Sequence, residues 1–166
     1  IIEETIAFCN RELYEGNGAY YSSLDADSEG EEGKFYIWRK GEVDKLLGSD
    51  AEIFEEYFDI TSSGNWEFKN VLRIRKDIDS FCEVRNLDKV AFESDVQKGV
   101  QKLFEAREQR VRPGLDDKTL TEWNSLVITG LCDAFEALGE KEYRDGAIKT
   151  ANFIWSTLWD GERLYR

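Results

Sequence analysis

The chain of 166 residues carries a formal net charge of −13, and so acidic a surface repels the phosphate backbone of nucleic acids. Hydrophobic residues make up 41% and aromatic residues 13%, enough for a buried core within the usual size of one domain. No apolar run reaches membrane-spanning length. From the charge and from this absence we expect a folded domain that binds neither nucleic acid nor membrane.

The cysteine and histidine content narrows the chemistry further. Cys9, Cys82 and Cys132 are widely spaced and form no paired motif, which argues against a disulfide framework or zinc site and favours a reducing, cytoplasmic location. The chain contains no histidine. Acid–base chemistry would therefore use aspartate, glutamate, lysine or tyrosine, or residues outside this chain. We expect no metal and no cofactor.

The first half of the chain is predicted to alternate short helices with short strands. Helical spacing of apolar residues predicts a helix over 1–14. Strands over 19–24 and 34–38 are expected to form a hairpin whose long tip is the acidic segment between them. The remaining predicted elements are a helix over 40–47, a capping box at 49–52 that starts the next helix, and short strands over 66–68 and 71–75.

The second half is predicted to be almost entirely helical. Its elements are, in order, a short helix near 77–85, a long helix over about 89–110, a loop at Pro113 and Gly114, and helices over 119–138 and about 141–158. Asp88 is a plausible N-cap of the long helix. Because only two or three residues separate the last two helices, they should form an antiparallel pair.

Paired helices with small strand-bearing inserts predict a mainly α fold of the helical toroid type, in which helical hairpins stack into a ring. A whole ring needs about a dozen helices of roughly 10–20 residues each, more than this chain can hold. The chain also begins without methionine and contains none. We therefore expect residues 1–166 to be a single fragment of such a domain from a longer protein.

Three segments in order resemble signature motifs of one family. They are the aromatic and acidic stretch 20–38, the stretch 64–72, and the arginine- and aspartate-rich stretch 107–124. The segments are similar to those of the spermatogenesis-associated, thioredoxin-domain-containing proteins, the YyaL-like family. One departure is Ser125, where the family usually has glycine, and its hydroxymethyl group would either narrow a pocket or change nothing.

The resemblance implies that this chain is a middle slice of an (α/α)6 toroid. That toroid is similar to those of six-hairpin glycosidases and N-acylglucosamine 2-epimerases. The resemblance also implies that the thioredoxin-like domain of the family, which precedes the toroid, is absent from this chain.

Two acidic segments are the candidate catalytic groups. Asp25 and Asp27 lie beside the aromatic stretch, and Asp116 and Asp117 precede the helix over 119–138, where toroid loops would face the central cavity. Carboxylate pairs bind sugar hydroxyls or act as acid and base, so these four residues are the predicted catalytic set. The alternatives are a solvated hairpin tip for the first pair, and an N-cap at Asp117 with a capping box over 119–122.

The first acidic segment also matches part of a calcium-binding loop. Asp25, Asp27 and Gly30 fit positions one, three and six, and Glu29 would serve at position five. Tyr36 stands at position twelve, where a calcium loop needs a bidentate glutamate. Since the flanking segments are also predicted strands instead of helices, no metal site is predicted.

The predicted substrate-binding residues are Trp38, Arg112, Lys118, Trp123 and Asn124. Trp123 would form a stacking platform for a sugar ring, unless it packs in the core as large aromatic residues usually do. Asn124 must find hydrogen-bond partners if it is buried.

The cations of the third motif are expected to pair with nearby carboxylates. Arg112 is matched with Asp116 or Asp25, and Lys118 with the neighbouring aspartates. Alternatively, Arg112 with Arg107 and Arg110 would bind a ligand that carries phosphate or carboxylate.

Two functions remain open. The first is a carbohydrate-active or carbohydrate-binding domain, similar to a glycosidase or sugar epimerase, whose acidic cavity takes a sugar or small polar ligand. It requires that the two acidic segments converge on one concave surface. The second is a non-enzymatic interaction scaffold whose partner is the thioredoxin-like domain. It requires aspartates locked in ion pairs with Arg110, Arg112 and Lys118.

Overall fold

The computed structural model describes residues 1–165, which are mainly helical with small two-stranded sheets. The helices are α1 (Ile2–Glu12), α2 (Lys40–Leu47), α3 (Ala51–Tyr57), α4 (Ile78–Arg85), α5 (Lys89–Arg107), α6 (Thr121–Leu138) and α7 (Lys141–Phe153). The strands are β1 (Ser23–Leu24), β2 (Asp27–Ser28), β3 (Glu31–Glu32) and β4 (Leu115–Asp116). Within residues 1–165 no helix combines the length and the apolar composition that a bilayer crossing requires.

The chain folds as two compact units. Unit 1 comprises Ile1–Asp25 and the described residues from Gly114 onward, and unit 2 comprises Ala26–Pro113.

Unit 1 is built on the antiparallel pair of α6 and α7. Its core contains Leu131, Ala134, Tyr143 and Ala147, and partly buried residues such as Ile6 of α1 pack against it. Gly139 ends α6 in the left-handed conformation with φ of +77°, which glycine adopts without steric cost. The predicted helical pair is therefore confirmed. The helix predicted to run to 158 instead changes to a π-helical turn over Ile154–Leu158.

Unit 2 packs α2, α3, α4 and α5 around an aromatic core. The rings of Tyr57, Phe81 and Phe92 contact one another with centroids 5.1–5.3 Å apart, in edge-to-face and stacked arrangements. Gly99 lets α5 approach this core, because a Cβ atom there would lie 2.6 Å from the ring of Phe54. The predicted N-cap at Asp88 is confirmed, since its carboxylate accepts a hydrogen bond of 2.8 Å from the Ala91 N–H.

The predicted hairpin of 19–24 with 34–38 is wrong. β1 pairs with β4 instead, and Trp38 forms an isolated bridge with Asn70. The acidic segment folds back on itself as β2 and β3, joined by Glu29 and Gly30 with φ of +54° and +74°. Two successive positive φ angles are typical of the tight turn that matches the twist of a hairpin.

Two further local predictions are also wrong. The capping box at 49–52 is absent, because the N-cap of α3, Asp50, makes no side-chain hydrogen bond to the helix. The segments 66–68 and 71–75 form no strands, apart from a bridge between Trp66 and Lys69. Glu67 and Phe68 have positive φ angles of 43° and 63°, so the chain turns where a strand was expected.

Candidate functional site

An antiparallel ribbon in unit 1 joins the two acidic segments. Ser23 of β1 lies opposite Asp116 of β4, and Leu24 lies opposite Leu115. The pairing continues one residue further, because the Asp25 N–H donates a hydrogen bond of 2.7 Å to the Gly114 carbonyl oxygen. We call the segments 22–25 and 114–118 the acidic ribbon.

Asp25 and Asp116 lie on the same face of the acidic ribbon. Side chains two positions apart in a strand share a face, so Asp25 shares that of Ser23, which is opposite Asp116. A Cβ atom on Gly114 would lie 3.7 Å from the Asp25 Cβ, so this position is on the same face as Asp25. Because the residue is glycine, no side chain lies opposite Asp25. The two aspartates are therefore diagonal neighbours, a relation that typically sets residues roughly 7–8 Å apart.

Lys118 is the counter-ion of Asp116, as predicted. Its Nζ lies 2.6 Å from Oδ1 of Asp116. This ammonium, and to a smaller extent the nearby Ser22 hydroxyl, lower the pKa of the Asp116 carboxyl from its ordinary value. Asp116 is thus a carboxylate at neutral pH, which suits it to accept hydrogen bonds instead of acting as a general acid.

Replacing Lys118 with glutamine should raise the pKa of Asp116 toward its ordinary value, because the largest cause of the shift is removed. Ionised Asp116 stabilises the fold above the ordinary carboxyl pKa, and this contribution is lost as the pH falls through the lowered pKa. The measurement is a carboxyl carbon NMR titration. Lys141→Gln, at an exposed lysine of the same unit, is the control. An unchanged Asp116 titration in the Lys118 variant would disprove the ion pair in solution.

Asp117 is not a helix cap. α6 begins at Thr121, and its N-cap Leu120 makes no side-chain capping hydrogen bond, so the capping box over 119–122 is also wrong. Asp117 is exposed. Burial, followed by the charges of Glu15 and Asp117, raises the pKa of Tyr21, which keeps that phenol protonated. Asp117 therefore adds negative charge to the acidic ribbon and does not cap α6.

Trp123 and Asn124 are neighbours in α6 but lie in different environments. Of the two alternatives for Trp123, packing in the core is excluded, because the residue is 47% exposed. Asn124 is 1% exposed, and its side chain bonds the backbone of Tyr20 as acceptor (2.8 Å) and donor (3.0 Å). The expected partners of Asn124 are thus backbone groups, and a ligand could bond this amide only by displacing them.

The other predicted site residues belong to unit 2. They are Asp27, Trp38 and Arg112. Asp27 is exposed in β2, where it lies opposite Glu32, and Trp38 is 4% exposed. Arg112 forms an ion pair with Glu108, four residues earlier, and its guanidinium carbon lies 5.7 Å from the ring centroid of Phe35. The proposed pairing of Arg112 with Asp116 or Asp25 stays a prediction.

Arg110 has a role that the sequence did not reveal. Its Nη1 donates to the carbonyl oxygens of Lys34 (3.3 Å), Phe35 (3.0 Å) and Ile37 (2.7 Å). Its guanidinium carbon lies 4.0 Å from the ring centroid of Trp38, within cation–π distance. Burial lowers its pKa, which the Glu42 carboxylate opposes. Arg110 was expected to pair with carboxylates of its own loop, and most of its contacts are instead with backbone.

Metal binding receives no geometric support in the part of the chain that the structure describes. No three carboxylate or thiol side chains within residues 1–165 lie close enough to share a metal ion. The segment that partly matches a calcium loop forms the β2–β3 hairpin, in which Lys34 lies 2.8 Å from Glu29.

A mainly helical protein with an acidic two-stranded ribbon is the class that these observations define. No model of a known protein family matches the chain. It is 36% identical to an uncharacterised protein of Caenorhabditis elegans, over 90% of this chain and 24% of that protein. It is 28% identical to spermatogenesis-associated protein 20 of Homo sapiens and 26% identical to that of Rattus norvegicus, each over 93% of this chain and 23% of the relative.

The chain spans about a quarter of the length of the curated relatives it matches. The identities of 26–28% confirm the similarity to spermatogenesis-associated proteins that the motifs suggested.

Proposed function

We propose that the acidic ribbon binds a sugar or a related polyhydroxylated ligand. The observation that carries this proposal is the common face of Asp25 and Asp116, two acidic residues from segments far apart in the chain. Sugar hydroxyl groups donate hydrogen bonds to ionised carboxylates, and Lys118 holds Asp116 in that form. Trp123, exposed in the same unit, offers an indole face of the kind on which sugar rings stack.

We further propose that the chain is part of an (α/α)6 toroid of the thioredoxin-domain-containing, YyaL-like family. The antiparallel pair of α6 and α7 supports this, because such pairs are the repeating units of a toroid. The relatives are about four times longer than this chain, which leaves length for the other helical pairs and for a thioredoxin-like domain.

The carboxylate arrangement also suggests the type of reaction that this site would support. A separation of about 6.5–9.5 Å between two carboxyl groups leaves room for a water molecule and is typical of inverting glycosidases. Asp25 and Asp116 are diagonal neighbours, whose backbones are typically roughly 7–8 Å apart, a spacing from which their carboxyl groups can reach such a separation. In such a reaction the ionised Asp116 would take the proton of the attacking water, and a general acid, the role open to Asp25, would give a proton to the leaving-group oxygen.

A panel of mono- and disaccharides, titrated into the protein by calorimetry and by ligand-observed NMR, tests the binding proposal. We expect saturable binding by at least one sugar, and about a tenfold loss of affinity in Asp25→Asn and in Asp116→Asn, because each removes a charged hydrogen-bond acceptor. Asp133→Asn changes an exposed carboxylate of α6 in the same unit and should bind like the unmodified protein. Equal affinity in all three variants would refute the ribbon as the site.

The alternative function is a non-enzymatic scaffold that partners a thioredoxin-like domain. The contacts of two predicted site residues favour this alternative. Asp116 forms an ion pair with Lys118, and the Asn124 side chain is hydrogen-bonded to the backbone of Tyr20. On this proposal Asp116→Asn and Asp117→Asn lower the thermal stability or the affinity for the partner domain, and no sugar binds.

A further inference from the structure

Unit 2 contains a cavity of about 410 Å³ whose lining is rich in both charges. This volume lies within the range of roughly 300–1,000 Å³ that small-molecule sites usually occupy. The lining comes from the β2–β3 hairpin, the segment 34–39, the first turn of α2 and the residues that follow α5. The proposed sugar site in unit 1 shares no residue with it.

The three glutamates of this lining are each matched by a cation. Lys34 Nζ lies 2.8 Å from Glu29, and Lys69 forms an ion pair with Glu31. Arg110 lies 3.6 Å from Oε1 of Glu42. These pairs cancel the negative charge of the cavity within its own wall.

Arg39 is the fourth cation of the lining, and no glutamate of the lining pairs with its side chain. Among the residues that the structure describes, its guanidinium forms no ion pair, although it lines the cavity. The nearest acidic group by sequence, Glu42, is already used, since its Oε2 accepts a hydrogen bond of 2.8 Å from the Arg39 backbone N–H and its Oε1 faces Arg110. The cavity therefore carries an excess positive charge in a chain whose net charge is −13.

The apolar part of the wall is rigidly held. Phe35, Ile37 and Trp38 are 2%, 6% and 4% exposed. Trp38 is fixed on one side by the Arg110 guanidinium and through its backbone by two hydrogen bonds of 2.8 Å with Asn70. Only the edges of these buried side chains reach the cavity, and together with one cation that forms no ion pair they suit an anion that also has a small apolar body.

We propose that this cavity binds a small organic anion. Its carboxylate or phosphate group pairs with Arg39, since a planar guanidinium donates two parallel hydrogen bonds to such oxyanions. Its small apolar body lies against the edges of Phe35, Ile37 and Trp38 that reach the cavity. Trp38, a predicted substrate-binding residue, would then contribute to binding by forming part of this cavity wall.

The test titrates benzoate, phenyl phosphate and neutral benzamide into the 15N-labelled protein and follows backbone amide shifts. We expect saturable shifts at Arg39 and Trp38 with benzoate or phenyl phosphate, and binding of benzamide weaker by about tenfold or more, because the charged group is missing. The tighter of the two anions identifies the head group. Inorganic phosphate alone should bind more weakly than phenyl phosphate, since it has no apolar body.

The decisive variants each change one cationic side chain. Arg39→Gln should weaken the anion by about tenfold or more, whereas Lys45→Gln, at an exposed lysine of α2 outside the cavity, should leave it unchanged. Arg39→Lys keeps the charge but loses the two-pronged geometry, so its affinity should be intermediate. The proposal is overturned by equal binding of benzamide, by an Arg39→Gln variant that binds normally, or by no saturable shift at about 10 mM anion. Thermal unfolding of each variant checks that the fold is intact.

Discussion

Replacing Asn124 with alanine should lower the free energy of unfolding by about 2–4 kcal/mol. The Asn124 side chain is the partner of both the N–H and the C=O of Tyr20, whose side chain is itself 6% exposed. Among the described residues, no other group bonds these two backbone atoms. Truncation therefore leaves a buried donor and a buried acceptor unsatisfied, which costs far more than the net value of the lost bonds.

The third bond of Asn124 matters less. Its Nδ2 also donates to the Leu120 carbonyl oxygen at 3.0 Å, but that oxygen keeps the backbone bond from the Asn124 N–H. Asn124→Asp should also destabilise, because it retains the acceptor for the Tyr20 N–H, loses both donors and buries a charge. Both losses should appear in urea unfolding, and for a chain of this size the alanine variant should unfold about 6–12 °C lower.

A neighbouring residue provides the control. Ser125 is exposed on the same turn of α6, and its hydroxyl bonds only the Thr121 carbonyl of its own helix. Ser125→Ala should change the free energy of unfolding by less than about 0.5 kcal/mol. Comparable stabilities of Asn124→Ala and Ser125→Ala would mean that the bond between α6 and the Tyr20 backbone contributes little.

Arg110→Leu should destabilise unit 2 by about 2–4 kcal/mol. The leucine would retain much of the apolar contact but abolish the bonds to three carbonyl oxygens, those of Lys34, Phe35 and Ile37. In the described residues these oxygens have no other donor. The contact of the guanidinium with Trp38 would also be lost, so both the cavity wall and its stability depend on this residue.

Arg110→Lys separates charge from geometry. A lysine keeps the positive charge, but its compact ammonium cannot both bond these carbonyls and stack on the indole, so the loss should be intermediate. Arg85→Leu removes an exposed arginine that pairs with Glu56 at 2.8 Å and should cost less than about 1 kcal/mol. Urea unfolding followed by tryptophan fluorescence measures all three. A stability of Arg110→Leu equal to that of Arg85→Leu would contradict the assignment.

Several residues of the three motifs hold the backbone in place. Asn70 is 1% exposed and bonds the backbone of Thr61 and Trp38, much as Asn124 bonds Tyr20. At Gly64, with φ of +80°, a Cβ atom would lie 2.5 Å from the backbone of Phe68 and Lys69. Similarity in these motifs therefore reports the architecture of the fold more directly than it reports a reaction.

The sequence by itself determined where the helices lie and some of their limits. α2 and α4 begin and end within a residue of their predicted bounds, Asp88 caps α5 as expected, and Gly139 ends α6. These features depend on residues within a few positions of each other, through apolar periodicity, capping and glycine conformation, so the local sequence contains the information.

Only the tertiary structure decided which distant segments meet. The pairing of β1 with β4, the bonds of Asn124 to Tyr20 across 104 positions, and the contact of Arg110 with carbonyls 73–76 positions away have no local signature. A backbone group is satisfied by any partner of suitable geometry, and helical spacing cannot tell which face of α6 is covered. For this reason the sequence left open whether Trp123 packs in the core, and the structure exposes it. Arg39, the cation of the unit 2 cavity, could be recognised only after its neighbours were seen to be paired.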